Sequence, residues 1–183
     1  MRIIAGLLKG KKLFSPKTEG IRPTSDRMRE AIFSILGDEL LSANVLDLFA
    51  GTGALGLEAL SRGASFCVFV DNSPSTISLI QKNIDTCELV LQADIYQKDA
   101  SSDLSFLIDQ APFSLVFIDP PYEKIDFSLL FQQLHDQKLL QKGALLVLET
   151  SVKEIVFIPE RFFSLIKRRT YGKSRVSFFE YMG

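Results

Sequence analysis

The sequence has few cysteines, a single histidine and no long apolar run among its 183 residues. Two cysteines, Cys67 and Cys87, do not make a disulfide framework, so a reducing, cytoplasmic compartment is expected. No run approaches the length of a membrane span, and no basic start precedes a long apolar stretch, which predicts a soluble protein that is not exported. His135 lies beside the apolar stripe of a predicted helix and is expected to be a surface or satisfied histidine, not a catalytic one.

The length and the 46% hydrophobic content suit one well-packed domain. We therefore expect residues 1–183 to form a single domain. Weak alternation around Gly6 and Gly10 predicts a small basic hairpin or extension at about residues 1–23. No repeat, low-complexity tract or linker divides the chain.

Charges of opposite sign are separated along the chain although the net charge is only −1. Residues 1–29 carry eight Lys or Arg against two acidic residues, residues 161–183 six against one, and residues 30–160 seven against nineteen. Basic ends on an acidic body favour a polyanion, with nucleic acid the leading candidate; the alternative is that these cations are merely solvated. The candidate contacts are Arg2, Lys9, Lys11, Lys12, Arg22, Arg27, Lys173 and Arg175.

A strand, a glycine-rich turn, a helix and a second strand follow one another over residues 45–71. Gly51, Gly53 and Gly56 have the spacing G-x-G-x-x-G, and Asp71 closes the second strand twenty residues after Gly51. Such a turn lets the backbone approach a nucleoside, and an acid at the end of the second strand accepts both ribose hydroxyls. A purely structural turn is the alternative.

Asp47 distinguishes between the possible nucleosides. A carboxylate four residues before Gly51 suits a cationic ligand group and opposes a pyrophosphate. S-adenosylmethionine, which has an ammonium and a ribose but no phosphate, therefore fits better than a dinucleotide. The alternative for Asp47 is a carboxylate that caps the helix or braces the loop. The candidate cofactor residues are Asp47, Phe49, Ala50, Gly51, Thr52, Gly53, Asp71, Asn72, Asp99 and Ala100.

The third strand is ambiguous, since both residues 89–91 and residues 95–96 are apolar. Either Asp94 or Asp99 could then follow it and reach an adenine amine. We choose Asp99, which we expect to start a helix over residues 100–107.

Asp119-Pro120-Pro121-Tyr122 follows the apolar run at residues 115–118, which reads as a buried strand that the two prolines stop. Ligands of open α/β sheets bind at the carboxyl ends of strands. A carboxylate and a fixed carbonyl can accept hydrogen bonds from a heteroaromatic amine while a tyrosine ring stacks on the base. These four residues are the predicted catalytic residues, and this chemistry requires no metal.

The remaining patterns predict a helix over residues 126–141, a strand over 144–149, and strands over 162–169 and 176–181 that form an antiparallel pair. Arg22, Arg27 and Arg29 are expected on or near the polar side of the start of a helix that begins near residue 24 and ends at Gly37. Together, the elements predict an α/β, doubly wound sheet with a reversed edge strand.

Three stretches, residues 22–30, residues 46–59 and Asp119-Pro120-Pro121-Tyr122, together resemble the RsmD family, and the likeness runs over nearly the whole chain. The resemblance implies a Rossmann-like class I methyltransferase fold with a mostly parallel seven-stranded sheet and an antiparallel C-terminal hairpin. It also implies S-adenosylmethionine as donor and the exocyclic amine of a guanine in 16S ribosomal RNA as acceptor. Ribosomal RNA or a partly assembled small subunit would be the partner of a monomer.

Three alternatives remain. The Asp-Pro-Pro-Tyr loop also occurs in DNA adenine methyltransferases, although this chain has little room for a target-recognition domain. A nicotinamide-dependent oxidoreductase would use the glycine turn but would leave Asp47 and the tetrapeptide unexplained. A non-catalytic ribosome-assembly factor would need only the basic ends.

Overall fold

The computed structural model describes residues 1–15, 26–121 and 125–183. In these ranges the helices are α1 (Asp26–Leu36), α2 (Ala54–Ser61), α3 (Pro74–Cys87) and α4 (Phe127–Asp136). The strands are β1 (Asn44–Leu48), β2 (Phe66–Asp71), β3 (Ala93–Gln97), β4 (Phe113–Ile118), β5 (Leu140–Ser151), β6 (Phe163–Tyr171) and β7 (Ser174–Tyr181). Short 3-10 helices occupy Gly37–Leu40, Val90–Gln92 and Ser105–Gln110.

The strands form one seven-stranded sheet in the order β3-β2-β1-β4-β5-β7-β6. The first five strands in this order are parallel, and β7 pairs antiparallel with both β5 and β6. This topology confirms the predicted fold class. The strand order reverses at β1, which lies between β2 and β4, so the carboxyl ends of these three strands frame the crevice in which such folds bind ligands.

Alternation along the strands gives the sheet two apolar faces. One face packs against α1, α2 and α3, and its strand residues include Val45, Phe69, Phe117 and Val147. The other face packs against α4 and the 3-10 helix at Ser105–Gln110. Burial on both faces explains why β1, β2 and β4 read as continuous apolar runs.

The amino-terminal hairpin, residues 1–14, packs on the face that carries α2 and α3. An antiparallel bridge joins Arg2 to Lys12. Three side chains of α2 and α3 bind its backbone. Glu58, which is fully buried, accepts hydrogen bonds from Ile4 N and Ala5 N at 2.7 and 3.0 Å. Ser61 and Asn83 hold other parts of the hairpin.

The hairpin runs closely over the end of α2. Ser61 Oγ donates to Ala5 O and accepts from Leu8 N, while Ser61 O accepts from Leu7 N. Gly6 has φ +83°, and a Cβ on it would lie 1.8 Å from Ser61 O. Only glycine fits here, because both the backbone conformation and the close approach exclude a side chain.

The carboxy-terminal hairpin, β6 and β7, is held differently. Its backbone ladder continues the sheet, since Leu145 to Ser151 of β5 pair with Glu180 to Ser174 of β7. Phe131 of α4 contacts Phe163 and Phe179 edge-on at 4.9 and 5.5 Å between ring centroids. The single histidine lies nearby: His135 Nδ1 is 2.8 Å from Tyr181 Oη, and its ring stacks on Phe162. This histidine is therefore satisfied by structural contacts.

Three expectations from the sequence were wrong. Helix α4 ends at Asp136 rather than Gln141, because strand β5 already begins at Leu140, and Gly143 (φ +83°) lies within that strand. Residues 100–107 form a turn and the start of a 3-10 helix instead of a longer helix. Arg29 is fully buried, donating to Arg2 O and Asp26 Oδ1, rather than lying on the polar side of α1.

None of the helices within the described ranges is long and apolar enough to span a bilayer. Within the same ranges, no group of three or more His, Cys, Asp or Glu side chains could hold a metal ion.

Candidate active site

The strand register brings four residues to one level at the carboxyl edge of the sheet. Leu48 pairs with both Val70 and Ile118, and Ile118 pairs with Leu148. The next residue of each strand is therefore Phe49, Asp71, Asp119 or Glu149. Since neighbouring strands lie about 4.8 Å apart, the predicted catalytic loop lies directly beside the glycine turn.

The glycine turn arches over the end of β2. Phe49, Gly51 and Gly53 have φ values of 60°, 57° and 74°, so the chain reverses sharply. Ala50 N donates to Val70 O at 3.0 Å, and Gly53 N donates to Ala50 O at 2.8 Å. Gly53 then precedes the first residue of α2. The turn follows β1, the strand at which the order of the sheet reverses, and Ala50 and Gly51 are partly exposed there.

Gly56 lets α2 approach β2 closely. A Cβ at this position would lie 2.3 Å from Phe69 Cε1 and 2.5 Å from Cys67 Sγ. Such distances would force the helix away from the sheet. The third glycine of the motif therefore serves packing, and it keeps the start of α2 against the turn.

Asp47 lies beneath the turn, 1% exposed, and its Oδ2 accepts a hydrogen bond from Gly56 N at 3.0 Å. Burial raises the pKa of Asp47 well above its usual value, opposed by the Gly56 bond and reinforced by the charges of Asp119 and Asp71. This hydrogen bond fits the structural alternative for Asp47, in which the carboxylate caps the helix or braces the loop. Binding of a ligand ammonium near Asp47 stays a prediction.

Asp71 connects the glycine turn to the start of α3. Its Oδ2 accepts from Gly51 N and its Oδ1 from Ser73 N, both at 3.0 Å. Each carboxylate oxygen retains a further lone pair for a ligand hydroxyl. Asn72 follows as an exposed residue.

Asp99, not Asp94, lies just past the carboxyl end of the third strand. It is exposed, and hydrogen bonds from the hydroxyl and then the N–H of Ser101 lower the pKa of Asp99. Asp94 lies inside β3 and accepts a bond from Gln110 Nε2 at 3.0 Å. Ala100 is buried beside Asp99. A contact of Asp99 with adenine stays a prediction.

The predicted catalytic loop starts at Asp119, whose backbone N lies 3.5 Å from Leu48 O of β1. Asp119 is half-buried, Pro120 buried and Pro121 exposed. Tyr122 lies outside the described residues. Asp119 and Asp71 are close enough to Asp47 for their charges to raise its pKa further, so acidic groups that suit a cation and oppose a phosphate gather at this edge.

The candidate RNA contacts are not all brought to this edge. Lys9 lies in the turn of the amino-terminal hairpin, beside the last residue of α2, and Lys11 Nζ is 4.0 Å from Glu88, which follows α3. The site lies at the other end of these helices, about 21 Å away along α3. Exposed Arg2, Lys12 and Arg27 lie in or near the hairpin, and Arg22 is outside the described residues.

The carboxy-terminal hairpin places its turn at the same edge as Asp119, since Ser174 pairs with Ser151 at the end of β5. Lys173 is exposed in this turn. Arg175 is half-buried and donates to Val152 O and Glu154 O, so its guanidinium also holds the segment after β5.

Sequence reasoning missed three polar residues around the site. Glu149 is 8% exposed and level with Asp119, while Glu58 and Asn83 are fully buried. Signals existed for two of them: Glu58 is the single charged residue in the apolar helix α2, all of which is buried, and Asn83 shares the inward stripe of α3 with Ile80, Ile84 and Cys87. Such a residue must bind polar groups brought from elsewhere in the chain.

Comparisons with known proteins agree with this geometry. Residues 1–180 match the family model described as "Conserved hypothetical protein 95". The chain is 34% identical to "Putative rRNA methyltransferase YlbH" of Bacillus subtilis over 100% of both chains. It is 35% identical to "Ribosomal RNA small subunit methyltransferase D" of Haemophilus influenzae, over 94% of this chain and 89% of that protein. The structure of "Putative methyltransferase yhhF" from Escherichia coli superposes with a TM-score of 0.86 at 31% identity, covering 100% and 98% of the two chains.

Proposed function

The chain belongs to the RsmD family, and from that premise we propose that it transfers a methyl group from S-adenosylmethionine to the exocyclic amine, N2, of a guanine in 16S ribosomal RNA. The relatives named as small-subunit rRNA methyltransferases support RNA methylation as the activity. That the methyl group goes to N2 of a guanine is our proposal.

One observation carries the proposal: Asp119 and the glycine turn share one level and one crevice at the switch point of the sheet. An amine bound by Asp119 and a nucleoside bound on the turn would therefore face each other directly. Neither a dinucleotide enzyme nor a non-catalytic RNA binder requires this juxtaposition.

The residues around the turn fit S-adenosylmethionine. Asp71 accepts a hydrogen bond from Gly51 N and would also accept the ribose hydroxyls. The Asp71 and Asp119 carboxylates beside Asp47 would favour the ammonium and sulfonium of this cofactor and oppose the pyrophosphate of a dinucleotide. When bound, the cofactor supplies an electrophilic methyl carbon on a positively charged sulfur. Phe49, Ala50, Thr52, Gly53, Asn72, Asp99 and Ala100 complete the proposed cofactor site.

The protein's part in the reaction is to orient the amine. A guanine amine is a poor nucleophile because its lone pair is delocalised into the ring. Hydrogen bonds from the NH2 group to the Asp119 carboxylate and the Pro120 carbonyl would favour a pyramidal nitrogen with its lone pair directed at the methyl carbon. The nitrogen would gain the methyl group, S-adenosylhomocysteine would be left behind, and the proton lost by the amine would pass to the Asp119 carboxylate. Orientation of this kind can lower a barrier by several kcal/mol, up to about 7–11 in the best cases.

The loop after Asp119 completes the proposed base site. Pro121 would restrict the loop, and Tyr122 would stack on the base. The target guanine must be unpaired or flipped out of its helix for the amine to reach the donor. The basic residues of both chain ends would bind the flanking phosphates, in ribosomal RNA or a partly assembled small subunit.

The test is to map methylated nucleotides in 16S rRNA from cells that lack the protein. We expect one N2-methylguanine to disappear and to return with the wild-type gene but not with Asp119→Ala. The purified variant should lose at least about 100-fold in turnover and keep its affinity for S-adenosylhomocysteine within about tenfold.

Asp109→Ala is the matched control, because Asp109 is exposed near the opposite end of the same strand. This variant should restore the mark fully. An unchanged pattern of guanine methylation in the deletion strain, or loss of an adenine mark instead, would overturn the proposal. Full turnover by Asp119→Ala would remove Asp119 from the chemistry.

A further inference from the structure

Asn83 of α3 connects the amino-terminal hairpin to the glycine turn. Its side chain is fully buried, and its amide makes three hydrogen bonds to backbone. Oδ1 accepts from Phe14 N at 2.7 Å, and Nδ2 donates to Phe14 O at 3.1 Å and to Thr52 O at 2.9 Å. The Asn83 amide therefore binds both the N–H and the C=O of Phe14, and it also holds the Thr52 carbonyl of the turn.

The end of the hairpin is held over this point by further contacts. Lys82 Nζ lies 3.6 Å from the centroid of the Phe14 ring, and Thr52 Oγ1 lies 4.0 Å from Met1 Sδ. Thr52 is itself buried. Both ends of the hairpin thus lie against the turn, whereas Lys9 and Lys11 lie at the far end of α2 and α3.

We propose that Asn83 is a positioning residue for the cofactor turn and that the amino-terminal hairpin serves S-adenosylmethionine binding as a brace. The inference rests on the proposed function, since it takes the turn as the cofactor site. Asn83 need not touch the cofactor. It holds Thr52 O, which keeps the neighbouring N–H groups of the turn directed at the ligand, and the hairpin in turn holds Asn83.

The contacts permit a selective variant. Asn83→Asp preserves shape and the acceptor for Phe14 N–H but removes both donated hydrogens, so a carboxylate oxygen would face Thr52 O and Phe14 O. We expect the dissociation constant for S-adenosylhomocysteine, measured by calorimetry without RNA, to rise about tenfold or more. KM for the cofactor should rise in proportion, while the affinity for RNA stays within about twofold.

Ser61→Ala is the matched control. Ser61, like Asn83, is buried and binds the hairpin backbone, but it does so at the end of α2 that is remote from the turn. This variant should loosen only the part of the hairpin that crosses the end of α2 and leave the contact between Phe14 and Asn83 in place, so cofactor affinity should not change. Equal effects of the two variants on cofactor affinity would show a general loss of stability and overturn the inference.

A second measurement covers the case in which Asn83→Asp does not fold. Hydrogen exchange of the wild-type protein should show that S-adenosylhomocysteine protects the Phe14 amide, whose acceptor is Asn83, as well as the turn. Protection confined to the turn would contradict the brace. Failure of the wild type to bind S-adenosylhomocysteine at all would instead refute the proposed function, so the two failures are distinguishable.

Discussion

The two ends of the chain are both basic hairpins, yet the fold uses them differently. The amino-terminal hairpin is held by buried side chains of α2 and α3, namely Glu58, Ser61 and Asn83. The carboxy-terminal hairpin is held by the backbone ladder of the sheet and by aromatic packing. Only the second places the turn of the hairpin at the edge that carries Asp119. Charge counts alone therefore do not locate a nucleic-acid surface, because the register decides which cations reach the site.

The largest effect is expected from removing Glu58, which anchors the amino-terminal hairpin. Glu58→Ala would leave Ile4 N, Ala5 N and the Arg62 guanidinium without their buried acceptor. We expect a loss of about 3–5 kcal/mol in the free energy of unfolding, measured by urea denaturation. Arg175→Ala, which removes only two bonds to loop carbonyls of the carboxy-terminal region, is the contrast and should lose about 1–2 kcal/mol. Equal losses would contradict the difference in anchoring.

The two hairpins are also expected to differ in how strongly their cations contribute to RNA binding. Arg169 and Lys173 are exposed near the turn of the carboxy-terminal hairpin, whereas Lys9 and Lys11 lie near the far ends of α2 and α3. Neutralising the first pair to Gln should weaken binding of ribosomal RNA and lower the slope of log K against log salt by about 1.4–1.8. Neutralising the second pair should have a smaller effect. A larger slope change for Lys9 and Lys11 would assign the primary phosphate contacts to the amino-terminal hairpin.

The last prediction concerns the pH dependence of stability and the buried carboxylate of Asp47. Because burial raises the pKa of Asp47, the folded chain binds its proton more tightly than the unfolded chain does. Asp47 therefore lowers stability as the pH rises from its ordinary pKa towards the raised one, by about 1.4 kcal/mol for each tenfold difference in proton affinity.

Asp47→Asn can still accept from Gly56 N and has no charge to bury. Relative to this variant, the wild type should lose stability as the pH rises above about 4, and the variant should bind S-adenosylhomocysteine more weakly. If the free energies of unfolding of the two proteins change in parallel with pH, then ionisation of Asp47 does not lower the stability of the fold. The pKa values of Asp99 and Asp103 are lowered, so these carboxylates change stability with pH in the opposite direction to Asp47. Both are present in the wild type and the variant, so their contributions cancel when the two proteins are compared.

Local sequence patterns predicted the parts of the fold that depend on near neighbours. The β1, glycine turn, α2 and β2 unit follows from apolar runs broken by glycine, and its bounds differ from the prediction by only a few residues. Helix α4 was predicted too long because residues 137–141 continue its helical pattern. In the structure Leu140 instead belongs to β5, where it pairs with β4. Pairing with a strand far along the chain has no local signal.

The buried polar contacts could not be predicted for the same reason. Asn83 and Phe14 are 69 residues apart, and Glu58 and Ile4 are 54 apart. Asn83 lies on the inward stripe of α3 with Ile80, Ile84 and Cys87, but nothing in the local pattern identifies its distant partners. Arg29 was assigned to the polar side of α1 because arginine is seldom fully buried. The proximity of Asp119 to the glycine turn, in contrast, followed from the general rule for the switch point of a doubly wound sheet.

The last strand of the sheet, β6, has a further consequence for how the protein behaves in a crowded cell. An open edge can template the addition of another strand, and such edges are usually protected by charge. Lys167, Arg168 and Arg169 follow one another along β6, so two copies of this edge repel each other. The same three cations would attract a polyanion, so we expect one short segment both to discourage pairing between copies and to favour contact with RNA.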